Sequence, residues 1–118
     1  MKTVLVAEDN PVNRELIAEM LEAEGYRVIE ANDGQDALML LNFHHPDVVL
    51  LDIQMPRLDG RETVRAIREN PDLASLRVIA CTAYAMQGDR EDILRCGFDG
   101  YVAKPISRAE LLEAVAAD

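Results

Sequence analysis

Five polar residues stand directly behind short apolar runs. Glu8 and Asp9 follow Val4-Leu5-Val6-Ala7, and Asp52 follows Val48-Val49-Leu50-Leu51. Thr82 follows Val78-Ile79-Ala80-Cys81, and Lys104 follows Tyr101-Val102-Ala103. Three carboxylates drawn together repel one another unless a cation sits among them. Their oxygens are hard ligands and no histidine adjoins them, which favours Mg²⁺ or Mn²⁺ over Zn²⁺. Lys104 adds a fixed positive charge and Thr82 a hydroxyl. A carboxylate nucleophile, a divalent cation, an ammonium and a hydroxyl donor are the parts of an aspartyl-phosphate site, in which the carboxylate attacks phosphorus in line. Asp52 is the expected acceptor. Each residue has an ordinary structural explanation when taken alone: a Glu-Asp pair caps a helix, a threonine packs, a lysine before proline is solvated. Their coincidence at four strand ends carries the functional reading.

The five residues meet only if those strand ends lie on one edge. Unbroken β-branched runs of four residues are the mark of strands buried on both faces, as in a parallel sheet. Arg27-Val28-Ile29-Glu30 and Tyr101-Val102-Ala103 are more polar or shorter and suit the sheet's two edges. Helical patterns fill the gaps. The first starts at Pro11 with Asn10 as N-cap and ends near Gly25. Others are expected over Gly34–Asn42, Gly60–Glu69, Tyr84–Cys96 (weakened by Gly88) and Ser107–Ala117, the last opened by a Ser107/Glu110 capping box. Five βα units in strict alternation predict one α/β domain over residues 1–118, a doubly wound (βα)5 fold of the flavodoxin-like kind. With right-handed crossovers and the second and fifth strands at the edges, the strand order is 2-1-3-4-5. In such sheets ligands bind beyond the carboxyl ends of the strands, beside the switch point between the first and third.

Composition narrows the function classes. The chain has 118 residues, 49% of them hydrophobic, and 12 basic against 22 acidic side chains give a net charge of −10. That charge argues against direct binding to nucleic acid or an anionic membrane. Two cysteines, Cys81 and Cys96, do not make a disulfide framework and are expected to be reduced thiols of a cytoplasmic protein. No apolar run nears the length of a membrane span, and the start is not a signal peptide.

The segments Val6-Ala7-Glu8-Asp9-Asn10, Leu51-Asp52-Ile53-Gln54-Met55-Pro56, Cys81-Thr82-Ala83 and Tyr101-Val102-Ala103-Lys104-Pro105-Ile106 resemble the signature blocks of response-regulator receiver domains (the CheY-like superfamily), in the family's order and spacing. The resemblance implies a two-component phosphoacceptor rather than an enzyme acting on other molecules. It implies that Asp52 takes the phosphoryl group and that Asp9 binds the metal directly, with Glu8 acting through water. The backbone carbonyl of Gln54 would be a further ligand. Thr82 and Lys104 would bind phosphoryl oxygens, Thr82 and Tyr101 would form the switch, and Lys104-Pro105 would be a cis peptide. Ala83 would supply the small side chain that such a site needs for access.

The stretch from Ala83 to Arg90 and the Lys-Pro-Ile ending are similar to hybrid histidine kinase receivers and to single-domain regulators of the DivK kind. The implied partners are a histidine kinase or histidine phosphotransfer protein upstream and a protein effector downstream. The effector would meet the surface of the fourth helix, fifth strand and fifth helix, on a monomer or a weak phosphorylation-dependent dimer. A receiver excised from a hybrid kinase or a larger regulator is the alternative. Gln54 and Tyr84, each two residues past a site residue, are expected to tune dephosphorylation. Three other readings fit less well. A haloacid-dehalogenase-like phosphatase needs Asp-x-Asp on its first strand, a flavodoxin-like flavin binder needs a Ser/Thr/Gly-rich loop where Glu8-Asp9-Asn10-Pro11 stands, and a degenerate scaffold would lack part of the site.

Overall fold

The computed structural model describes residues 2–55, 58–83 and 87–116, with the backbone alone for residues 87 and 88. Five strands and five helices alternate: β1 (Thr3–Ala7), α1 (Pro11–Glu22), β2 (Arg27–Ala31), α2 (Gly34–Leu40), β3 (Val48–Asp52), α3 (Gly60–Glu69), β4 (Arg77–Thr82), α4 (Gln87–Arg95), β5 (Gly100–Ala103) and α5 (Arg108–Ala116). All strand pairings are parallel, in the order β2-β1-β3-β4-β5. The flavodoxin-like α/β fold and its strand order are thus those expected from the sequence.

Strand side chains alternate between the two faces of the sheet, and both faces are covered. On one side Leu5, Val49, Leu51, Val78 and Ala80 join Val64 and Ile67 of α3 and Ile93 of α4. On the other, Val4, Val6, Val48, Leu50 and Ile79 meet Ile17 and Leu21 of α1 and Leu111 and Val115 of α5. Every residue of β3 is buried, as the central strand of a doubly covered sheet requires.

The helix ends follow local chemistry. Asn10 Oδ1 accepts from the N–H groups of Val12 (2.9 Å) and Asn13 (3.1 Å), and Pro11 opens α1. α1 runs to Glu22 and is closed by Gly25 just beyond it, as expected, with the Gly25 N–H donating to the Glu22 carbonyl (3.0 Å). The Leu21 carbonyl accepts from the Glu24 and Tyr26 N–H groups, closing a tight turn in which Gly25 takes φ 90°. α3 begins with a full capping box between Asp59 and Glu62 that the sequence patterns did not single out. α2 ends two residues early, at Leu40. α4 starts at Gln87; residues 84–86 of the expected helix lie outside the described residues, as does residue 117 of the fifth.

The amino-terminal edge of the sheet is laced by polar side chains. Asp47 Oδ2 accepts from the Thr3 N–H (2.8 Å), and Lys2 Nζ donates to the Val115 carbonyl at the end of α5 (3.3 Å). Arg68 donates to the carbonyls of Gly97, Ala74 and Leu76 and to Asp99 Oδ2 (2.8 Å), which also accepts from the Val78 N–H (2.8 Å).

Candidate functional site

The opposite edge gathers the chemistry. Backbone bonds carry three ladders past the strand ends: Glu8 N–H to the Ala31 carbonyl (3.2 Å), Ile53 N–H to that of Cys81 (3.1 Å) and Lys104 N–H to that of Thr82 (2.8 Å). The polar residues are therefore held by the sheet itself. Asp52, the last residue of β3, is 3% exposed and Glu8 is 2% exposed, while Asp9 is open to solvent. Carboxylate oxygens of Glu8, Asp9 and Asp52 all lie within 4.8 Å of one another.

Lys104 reaches into this cluster from the β5–α5 connection, whose Lys104-Pro105 peptide is cis. Its Nζ donates to Asp52 Oδ2 (2.8 Å) and to Glu8 Oε1 (3.1 Å). The other Asp52 oxygen, Oδ1, accepts from the Gln54 N–H (3.1 Å). Glu8 Oε2 is buried without a hydrogen-bond partner. Burial pushes the Glu8 carboxyl up to about 7, and the neighbouring Asp52 carboxylate adds to that rise against the pull of Lys104. Burial alone would lower the Lys104 ammonium, but its bonds to Asp52 and Glu8 outweigh burial and hold it above the usual lysine range.

Three carboxylates facing one ammonium leave a negative excess, and an orphaned, buried carboxylate oxygen points to a missing positive partner. The donors are all hard oxygens. These residues fit a Mg²⁺ site. Nearby Cys81 is no competing nucleophile, because burial, aided by Asp52, pushes its thiol up to about 12.

Thr82 is buried at the end of β4. Tyr101 lies apart from the carboxylates, half-buried on β5, with the Arg90 guanidinium 5.4 Å from its ring centre. The Gln54 side chain and Ala83 face solvent. Tyr84 and Pro56 lie outside the described residues. A cleft of about 460 Å³ opens beside the cluster, lined by Glu8, Lys104, Ala83, Asn13, Leu16 and Ile106 among others.

Two further residues bear on the site: Gly60, expected only as a turn or helix start, and Arg14, which the sequence patterns did not single out. Gly60 donates its N–H to the Ile53 carbonyl (2.9 Å), and a Cβ there would come within 2.7 Å of the Asp52 carbonyl oxygen. Arg14 of α1 donates from Nη1 to the Glu8 carbonyl (2.8 Å) and pairs through Nε with Glu30 (3.3 Å). Its signal was slight: a basic residue within the first helical turn after an acidic pair.

The family model of the response regulator receiver domain matches residues 4–116. The polar-differentiation response regulator DivK of Brucella abortus is 40% identical over 114 residues, which cover 97% of this chain and 93% of that protein. Among solved structures, the receiver domain of a sensor histidine kinase from Pseudomonas aeruginosa PAO1 is 39% identical, with a TM-score of 0.87 and 98% of each chain covered. That structure has a magnesium ion coordinated in its active site cleft. The receiver domain of a signal transduction histidine kinase from Syntrophus aciditrophicus is 30% identical, with a TM-score of 0.90, covering 98% of this chain and 88% of that one.

Proposed function

Because the chain belongs to the response regulator receiver domain family, it is a phosphoacceptor module of two-component signalling with a histidine kinase as the implied donor, and we propose that Asp52 is its acceptor. The supporting observation is the Lys104 ammonium, which bridges Asp52 and Glu8 inside a cluster of three carboxylates. An Asp52 carboxylate oxygen attacks the phosphorus of a phosphohistidine. The new O–P bond forms as the N–P bond breaks, and the electron pair of that bond leaves with the imidazole nitrogen.

Asp9, Glu8, Asp52 and the Gln54 carbonyl would hold Mg²⁺ (or Mn²⁺), with Asp9 as a direct ligand and Glu8 as a partner acting through water. When bound, the cation supplies positive charge against the phosphoryl oxygens. Lys104 orients the Asp52 carboxylate before transfer and then meets a phosphoryl oxygen. The Thr82 hydroxyl donates to another. Thr82 and Tyr101 form the switch, carrying the change to an effector protein at the surface of α4, β5 and α5. Gln54 and Tyr84 set the lifetime of the phosphoryl group by controlling water. Residues 1–118 act as one cytoplasmic receiver domain, a monomer or a weak phosphorylation-dependent dimer, phosphorylated by a histidine kinase or a histidine phosphotransfer protein. The net charge of −10 disfavours nucleic acid as a direct partner. A receiver carried within a hybrid kinase is the second reading, favoured by the likeness to the Pseudomonas kinase receiver.

Incubation with acetyl phosphate or phosphoramidate and Mg²⁺ tests the assignment. Intact-protein mass spectrometry should show one added phosphoryl group in the parent and none in Asp52→Ala. An adduct of equal yield in that variant would place the acceptor elsewhere.

A further inference from the structure

The geometry points to Arg14 as a positioning residue of the metal site, acting through the backbone of the β1–α1 turn. This rests on the metal reading above and extends it to a residue outside the acidic cluster. Among the described residues Asp9 has no side-chain hydrogen bond to aim its carboxylate. Its direction is set by the backbone on either side. On the far side, Asn10 is fixed by the two N–H groups it caps and by its carbonyl, which accepts from the Arg14 N–H (2.9 Å). On the near side, the Glu8–Asp9 peptide is held through the Glu8 carbonyl, which accepts from Arg14 Nη1 (2.8 Å). A peptide group is planar, so fixing that carbonyl fixes the plane from which the Asp9 Cα departs.

Arg14 is itself held. Its side chain is only 16% exposed, and Nε pairs with Glu30 on the edge strand β2. That strand also accepts the Glu8 N–H through the Ala31 carbonyl. The guanidinium thus ties α1 and β2 to the one peptide that joins two of the three clustered carboxylates. Its rigid fork suits this double engagement, which an ammonium on a flexible stem does not reproduce. Groups that orient ligands in this way affect metal affinity by roughly ten- to a hundredfold when removed.

The sign of the effect separates positioning from charge. As a cation near three carboxylates, Arg14 repels an incoming Mg²⁺, so Coulomb's law alone makes Arg14→Gln bind Mg²⁺ more tightly. Positioning makes the same variant bind more weakly.

The test is an amide-shift titration of the labelled full chain with Mg²⁺ alone, in the parent, Arg14→Gln and Arg14→Lys. Dispersion of the same spectra reports folding. The expected result is a Mg²⁺ dissociation constant raised about tenfold in Arg14→Gln and about threefold in Arg14→Lys. The acetyl-phosphate labelling rate should fall at low Mg²⁺ and recover at saturating Mg²⁺. Equal or tighter binding in folded Arg14→Gln overturns the proposal. If Arg14→Gln does not fold, Arg14→Lys decides, and affinity equal to the parent overturns it. A parent that binds no Mg²⁺ sinks the metal reading itself, a result distinct from either.

Discussion

Glu8 is the site residue most at odds with its surroundings. It is buried and faces Asp52, and one of its oxygens has no partner. Its carboxyl titrates at about 7 in the fold against an ordinary 4.5. Between those values the folded chain binds a proton that the unfolded chain has lost, so the metal-free fold loses stability as pH rises through that window. The contribution is fully present below about pH 4.5 and gone above about 7, and is roughly 3 kcal/mol. Urea unfolding with a chelator present, compared between the parent and Glu8→Gln, isolates it: the parent's midpoint should fall relative to the variant's over that range. Adding Mg²⁺ should reverse the fall, because a cation that binds the ionised carboxylate stabilises the folded state in proportion to its occupancy. Parallel pH profiles for the two proteins would mean that Glu8 keeps its ordinary titration.

Among the elements, the start of α3 is pressed against the end of β3. A methyl group at Gly60 would meet backbone atoms of Asp52 and Ile53 at 2.7 Å, and backbone has little room to yield. Gly60→Ala should destabilise the fold by about 1–3 kcal/mol. It should also slow labelling by acetyl phosphate, because the strain falls on the proposed acceptor's own residue. Thermal unfolding and labelling rates check the two effects separately, and an unchanged midpoint would remove the clash.

The strands were legible in the sequence because burial on both faces demands the continuous runs that Val48–Leu51 and Val78–Cys81 display. The acidic pair, Asp52, Thr82 and Lys104 were legible as candidates for the same reason: each breaks such a run at its carboxyl end. The hold of Arg14 on the β1–α1 turn was not, because its Nη1 partner there is the Glu8 carbonyl, and a carbonyl leaves no trace in residue type; Gly60 was legible as a helix start but not for its closeness to the Asp52 backbone. The stop of α1 at Gly25 was legible because the turn that ends the helix needs a positive φ, which Gly25 takes at 90°.

At the scale of the whole molecule, the two edges of the sheet carry different tasks. The carboxyl edge concentrates acidic charge, with Glu8 Oε2 left without a partner, whereas the amino edge is a seam of side-chain bonds in which Arg77 Nε alone among the described side-chain atoms is buried without one. Arg68 is its centre, joining the end of α3 to the α3–β4 and α4–β5 connections and to Asp99. Hydrogen bonds from a charged donor contribute more than neutral ones, so Arg68→Ala should cost about 2–3 kcal/mol. Mg²⁺ affinity should be untouched, and denaturant unfolding beside a Mg²⁺ titration reads both. A matching loss of metal affinity would show that the edges are coupled.

That separation has a consequence for how such a chain can be varied. Distant groups with no shared partner contribute to stability nearly additively. Changes along the Arg68–Asp99–Lys2 seam therefore act as a ballast, adding or removing robustness without retuning the chemistry. The carboxyl rim can accumulate costly, unbalanced charge only while that ballast lasts. A lineage remodelling its phosphoryl-transfer properties would first thicken the seam and then spend the margin at the opposite rim, so the order of substitutions, and not only their sum, would decide which variants remain folded.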